Sequence, residues 1–508
     1  MSQPPSARPG DAQSRPRDAQ ARPSDTLLRP TLRDDDERVP CLGARGRAAI
    51  RRLREHPDAP NWTYAVGDRL RPSDLEALDA LRAALDAAVR DPQPWDWRRP
   101  SATVLAALAE RLPHVPWLRR HVGDRSLDSD WGELATSSRD DLARDFTAFV
   151  PDDVDLEPML IYRTAGTTGH PIAVPHHARA VAAYLPLIEQ TLRGFGLDLA
   201  AIAGQDDDPR SPTVAALLLS AQLRTYTYAT ALSAWGGAGF AKLNLRPTDW
   251  RDADAPRRYL EAMAAPLVNG EPLTFAELLA LRPEIAPRAM ISTSVALAPG
   301  LRRRIEAALG TRVIDWYSAV ETGPIAARAP DGGDDDDMAL LAPDLHVEIV
   351  DAEGRPQPPG VEGEIAVSGG RNPYLPLCRY RTGDRATIRL DARGQPRLHG
   401  LQGRAPVRFR ADDGTPVGSV DVARALREHE GLLCHQLVQG ADRGLHLALR
   451  PLPACEVDVE TVRATLRGLF GALPVQVEFD PALFDQDRLH GRKPRAWISA
   501  FDIDGGGP

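Results

Sequence analysis

The stretch ISTSVALAPGLRRRIEAALGTRVIDWYSAVETG, Ile291–Gly323, decides the fold class. It opens on a short apolar run. Leu301, Ile305 and Leu309 then recur at i, i+4 and i+8, which is one face of a helix over Leu301–Leu309. Gly310 follows where such a helix stops. Arg312–Trp316 comes directly after and reads as a strand. Strand, helix and strand in this order belong to an α/β layer. The same alternation of apolar strands, Gly-rich turns and helices runs on from about residue 155.

Working outward, Leu345–Val350 and Gly363–Ser368 read as two strands with the turn Asp351–Gly354 between them. The acid run Asp334–Asp337 reads as a solvated loop. On the N-terminal side Ser73–Val89 is a predicted helix. Ser73 and Glu76 have capping-box spacing, and Leu78, Leu81, Leu85 and Val89 share a face. Residues 1–40 are rich in Pro, Ser, Arg and Asp. They cannot bury enough apolar surface to offset ordering entropy, so a disordered tail is expected. After about Gly403 the pattern restarts with helix Ser419–Glu428, strands Leu432–Val438 and Leu445–Arg450, helix Val457–Phe470 and strand Pro474–Phe479. The predicted organisation is a tail (1–40), a large α/β domain (41–402) and a small C-terminal α+β domain (403–508).

The chain has 508 residues, 43% hydrophobic and 26% charged, an ordinary globular balance. A net charge of −9 argues against a nucleic-acid partner. No apolar run approaches the roughly 18 residues of a membrane span, and the N-terminus lacks the apolar segment of a secretory signal. Cys41, Cys378, Cys434 and Cys455 stand far apart, with no CxxC pair and no metal-ligand spacing. These features fit a reduced, cytoplasmic chain.

Three stretches carry candidate chemistry. Tyr162–Pro171 (YRTAGTTGHP) places two glycines and three threonines between apolar runs, a hairpin loop whose amides and hydroxyls can wrap phosphate oxygens. Asp315–Gly323 (DWYSAVETG) puts Glu321 at a strand–loop transition, where it is expected to stand exposed in a cleft and can hold Mg²⁺. Arg379–Asp384 (RYRTGD) ends a tight Thr-Gly turn on a carboxylate suited to accepting two ribose hydroxyls. Each taken alone also fits an ordinary turn.

In this order the three resemble the adenylate-forming superfamily of acyl-CoA synthetases, adenylation domains and luciferases. In particular they resemble the phenylacetate–CoA ligase-like branch, whose motifs read SSGTTGKP, YGxSE and RYRTGD. The resemblance implies a large N-terminal adenylation domain with a small α+β lid domain. It implies ATP- and Mg²⁺-dependent activation of a carboxylic acid, aryl or arylacetic, to an acyl-adenylate, followed by transfer to coenzyme A. An amine or carrier protein as acceptor, or a scaffold that binds nucleotide without turnover, are the alternatives. Thr164, Gly166, Thr167, Thr168 and Gly169 would cradle the ATP phosphates, Glu321 would ligate Mg²⁺, and Tyr317 would lie against adenine. Asp384 would bind ribose, Arg404 would sit at the domain junction near ribose and phosphate, and Lys493 would bridge carboxylate and α-phosphate. Tyr226, Tyr228, Trp235 and Phe240 fall where the superfamily holds an aryl group. Lys242 falls beside them, either as a counter-charge to a substrate carboxylate or as a lysine at the core edge.

The chain also departs from the pattern. Ala165 and His170 replace the loop's serine and lysine. Ser318 and Val320 replace the glycine and the hydroxyl residue of the central motif, with Thr322 as a possible substitute for the latter. The junction reads Gly403-Arg-Ala-Pro-Val407, without the hinge aspartate and with Pro406 stiffening it. The GKxxR motif reads Gly491-Arg-Lys-Pro-Arg495, so a direct match puts Arg492 at the catalytic position and a one-residue shift puts Lys493 there. Of 62 basic residues only Lys242 and Lys493 are lysines. That scarcity favours Lys493, whose compact ammonium on a flexible stem can reach both groups.

Overall fold

The computed structural model describes residues 32–163, 172–198, 213–222, 225–330, 337–403, 407–427, 429, 431–485 and 495–501. A twelve-stranded sheet frames the large domain. Five of its strands are parallel: Ala238–Asn244, Val214–Ser220, Leu267–Gly270, Ala289–Ser292 and Arg312–Ala319 lie side by side. Tyr228–Leu232 closes that edge antiparallel. Past Arg312–Ala319 the sheet turns antiparallel through Gly323–Arg328, Asp337–Leu340, Pro396–Gln402, Leu377–Leu390, Glu362–Gly369 and Leu345–Val350.

Val214–Ser220 (VAALLLS) is apolar almost throughout because helices cover both faces of the parallel half. On one face Leu217, Leu219, Val268, Met290 and Val313 pack with Tyr259, Phe275, Leu301 and Ile305 from helices Ala255–Met263, Pro272–Leu281 and Pro299–Leu309. On the other, Ala216, Leu267, Ile291 and Ile314 meet Leu187 and Leu192 of helix Tyr184–Gly194 and Leu85 of helix Pro72–Arg90. The helix read from Leu301, Ile305 and Leu309 buries all three and ends at Gly310 with φ +59°, a left-handed cap that glycine adopts without strain.

Two N-terminal expectations need correction. Residues 32–40 are not tail: Leu32–Arg38 is a helix, and Asp35 is buried in a bidentate pair with Arg54 at 2.6 and 2.9 Å. Charge pairing orders a segment that composition alone marks as unable to fold. The helix around Leu78 starts at Pro72, so Ser73 lies inside it and is not its cap. Asp74 accepts the Arg71 amide at 2.9 Å instead. Leu78 and Leu85 are buried, but Val89 at the frayed end is 63% exposed.

One buried ion pair locks the antiparallel half. Arg379 is wholly buried, and its guanidinium donates to Glu348 at 3.0 and 3.2 Å and to the carbonyls of Leu134 and Gly354. Its φ of +49° is left-handed, a conformation that costs a non-glycine residue and is held here by those bonds. The clamp also fixes the start of Tyr380 and its neighbours: the Ser137 amide donates to the Arg379 carbonyl, and the Arg381 amide donates to the Ser137 carbonyl. Arg379→Met strands the Glu348 carboxylate and should cost about 3–5 kcal/mol in urea unfolding at neutral pH. Burial already raises the Glu348 carboxyl pKa. A carboxyl raised in the folded state is stabilising when protonated, so the deficit should shrink as pH falls toward about 4.5. A deficit that grows toward acid overturns this account.

In the small domain a four-stranded sheet runs in the order Val475–Phe479, Leu445–Pro451, Leu432–Gln439, Trp497–Ser499. Helices Ser419–Arg427 and Val459–Phe470 cover it through Val422, Leu426, Val462 and Leu466. Strand Trp497–Ser499 and the hairpin of Arg408–Arg410 with Pro416–Gly418 were not expected, since three residues are too few to show a period. Leu433 and Leu452 bury against the helix layer of the large domain, and Arg304 donates to the Pro453 carbonyl beside them. Among the described residues no helix is long and apolar enough to cross a membrane.

Candidate active site

Arg312–Ala319 is the last parallel strand, and the chain turns at its carboxyl end to run back as Gly323–Arg328. Glu321 occupies that turn. The carboxyl ends of parallel strands, where chain directions diverge, are where α/β sheets leave room for ligands. Glu321 is only 4% exposed, so the expectation of an open carboxylate fails. Arg139 and Tyr380 cover it: Arg139 donates at 3.3 Å and the Tyr380 hydroxyl at 3.2 Å, both to Oε1. No bond is made to Oε2 among the described residues. A fixed carboxylate with one oxygen left over suits a hard divalent cation, which prefers a few carboxylates plus phosphate oxygens. Thr322 spends its hydroxyl proton on the Gly323 carbonyl at 3.0 Å.

Tyr317, four residues before Glu321, links the two motifs. Its ring is buried in the core with Ile325, Val347 and Ile365, and its hydroxyl donates to Asp384 at 2.9 Å. Burial and the charges of Asp384 and Glu321 raise the phenol pKa well above its usual value, so it stays a donor. Asp384 does not follow a turn: Thr382–Asp384 is a bulge inside strand Leu377–Leu390, where Gly383 has φ +83°, the Thr382 hydroxyl donates to the Ile365 carbonyl at 3.1 Å and the Asp384 amide donates to Thr382 at 3.1 Å.

The phosphate-loop candidate springs from a hairpin. Leu160–Arg163 pairs antiparallel with Ala173–His176, closing at Arg163 and Ala173. Thr164, Gly166, Thr167, Thr168 and Gly169 lie outside the described residues, as do Ala165, His170, Arg404, Pro406, Arg492 and Lys493. Beside the hairpin, His176 is buried and burial pushes its pKa down to about 4, so it is neutral at pH 7. Tyr184 lies near Ser318, beside the Glu321 turn, and burial raises its phenol pKa.

The aromatic candidates divide. Tyr228 and Phe240 sit together, ring centroids 6.1 Å apart. Trp235 is held by Glu189, which accepts its indole N–H at 2.7 Å. Tyr226 is 62% exposed and lies against Tyr64. Lys242 pairs across the strands with Tyr228. Sequence reasoning missed Arg139, Tyr380 as a partner of Glu321, and Tyr184. Arg139 offered only a helix-start signal, Ser138 capping toward Asp141, and nothing local links it to a residue so far along the chain.

The AMP-binding enzyme family model matches residues 106–372, more than half of the chain. The chain belongs to the AMP-binding enzyme family. It is thus a member of the adenylate-forming superfamily, with Glu321 inside the match and Asp384 beyond it. Two solved structures of 2-hydroxyisobutyryl-CoA ligase in the postadenylation state, with R3-HIB-AMP and with 2-HIB-AMP, share the fold. Each is 18% identical, with a TM-score of 0.57 over 80% of this chain and 91% of that one. A search of curated protein sequences finds no match.

Proposed function

We propose that this AMP-binding enzyme activates a small carboxylic acid with ATP and passes the acyl group to coenzyme A, as a phenylacetate–CoA ligase-like ligase. The observation that supports the reading is Tyr317 on the last parallel strand, whose phenol donates to Asp384 at 2.9 Å and feels the charges of both Asp384 and Glu321, so that a carboxylate suited to ribose and a buried carboxylate suited to Mg²⁺ share one region. In the first step the substrate carboxylate oxygen bonds the α-phosphorus and the α–β anhydride bond breaks, releasing pyrophosphate. In the second the thiol sulfur bonds the acyl carbon and AMP leaves. Mg²⁺, when bound, neutralises phosphate charge, and Glu321 would hold it. Arg139 and Tyr380 fix the Glu321 rotamer before nucleotide arrives, which is positioning ahead of the reaction. Tyr228 and Phe240 support an aryl acid.

The test is pyrophosphate release over a panel of aryl and aliphatic acids, with and without coenzyme A. Thiol consumption on adding coenzyme A supports the ligase. Release that needs an amine or carrier protein moves the acceptor. No release from any acid sinks the enzyme reading. Asp384→Ala should weaken ATP binding by roughly 1.5–3 kcal/mol for each charge-assisted bond lost. GTP should suffer equally, because the ribose is common to both. Unaltered nucleotide affinity would remove Asp384 from the site.

A further inference from the structure

The parallel sheet carries a second polar constellation on the face turned toward helix Tyr184–Gly194. Lys242 lies opposite Tyr228 on one side and Leu218 on the other. Leu218 in turn pairs with Asn269. Registered neighbours point to one face, and Phe240, two residues from Lys242, packs with Leu187 and Leu192 there. Lys242 and Asn269 are therefore two strand spacings apart, roughly 10 Å between backbones, near the carboxyl ends of their strands. No hydrogen bond or ion pair holds the Lys242 ammonium among the described residues. Burial pushes its pKa down while the charge of Glu271 pulls the other way. The Asn269 Oδ1 is buried and accepts no hydrogen bond among the described residues. A buried acceptor without a donor is destabilising, so such groups call for a partner.

This pairing changes what Lys242 can read. A second carboxylate offers only acceptors, and it would meet the ammonium but be repelled by Asn269 Oδ1 and by Glu271. A hydroxyl accepts from the ammonium and donates to the amide oxygen, satisfying both. A lysine kept in a chain that otherwise uses arginine fits this as well, because a point donor on a flexible stem suits one oxygen atom where a planar fork suits two. Resting on the acid-activation reading, we propose that Lys242 and Asn269 select an aryl acid bearing a hydroxyl at the end remote from the carboxylate that is activated, its ring lying along Tyr228 and Phe240.

The experiment compares pyrophosphate release with phenylacetate, 4-hydroxyphenylacetate and 4-carboxyphenylacetate. The hydroxy acid should exceed the parent in kcat/KM by roughly 10–100-fold, the range of one or two hydrogen bonds at least one of them charge-assisted. Lys242→Met and Asn269→Leu should each collapse that ratio. A preference for the carboxy acid, or no preference, overturns the proposal while leaving acid activation standing. A second readout needs no turnover. With only two lysines in the chain, an amine-acylating reagent followed by peptide mass mapping reports Lys242 separately from Lys493. The hydroxy acid should protect Lys242 at least several-fold better than phenylacetate. If no acid releases pyrophosphate, this protection still decides the proposal, and equal labelling with both acids overturns it.

Discussion

Glu321→Gln is expected to lower Mg²⁺-dependent pyrophosphate release by roughly 10²–10³, the cost of removing one preorganised charge from a water-poor site. The amide keeps the shape of the side chain and its Oε1, so Arg139 and Tyr380 retain an acceptor. What is lost is the charge on the oxygen those two residues leave open. Because Glu321 is buried against a guanidinium that is itself only 13% exposed, the variant should also lose stability, by roughly 1–3 kcal/mol. An exposed glutamate would show no such loss. Arg139→Met separates the two effects: it should destabilise to a similar degree, but with the Glu321 charge intact and Tyr380 still holding Oε1 it should lower Mg²⁺-dependent release far less than Glu321→Gln does. If Arg139→Met loses activity as fully as Glu321→Gln, Glu321 acts as a partner of Arg139 and not as a cation ligand.

The pair Glu321 and Arg139 also marks where the sequence stops being legible. Elements with a long period declare themselves. Leu301, Ile305 and Leu309 show a helix, because burial imposes a repeat that the residues must obey. Glycine placement is half readable: Thr382-Gly383-Asp384 has the one residue that takes φ +83° without strain, but what reads as a turn is a bulge within a strand, because the pairing with Glu362–Gly369 leaves no local trace. Pairings between distant segments leave no local trace. Arg139 reaches Glu321 over a separation of 182 residues, and Asp35 reaches Arg54 from a segment whose composition reads as disordered. Composition averages charge over a window, whereas the fold pairs individual charges. Asn269 is hidden for the same reason. It becomes a candidate only when the register through Leu218 sets it on the face of Lys242.

Lys493→Ala is expected to cut acid adenylation by on the order of 10³-fold or more. The lost interaction is an ammonium acting on charge that develops between carboxylate and α-phosphate, where one preorganised group contributes several kcal/mol. Acyl transfer from a supplied acyl-adenylate to coenzyme A should persist, since the lysine's work is complete once the anhydride has formed. Arg492→Ala should cost far less, because a planar guanidinium matches two coplanar oxygens better than a carboxylate and a tetrahedral phosphate at once. The segment just beyond is anchored: the Arg495 carbonyl accepts from Gln436 at 2.7 Å, and Trp497–Ser499 runs parallel to Leu432–Gln439. Residue 493 itself lies outside the described residues, two positions before Arg495 in the sequence. If the role of Lys493 is chemical, its replacement should leave the small domain folded, with an unfolding midpoint within about a degree or two of the parent. Pyrophosphate-release and adenylate-consumption assays on the matched pair decide the register. The reverse ranking assigns Arg492, and equal mild effects mean that this strand-anchored tail does not act in adenylation.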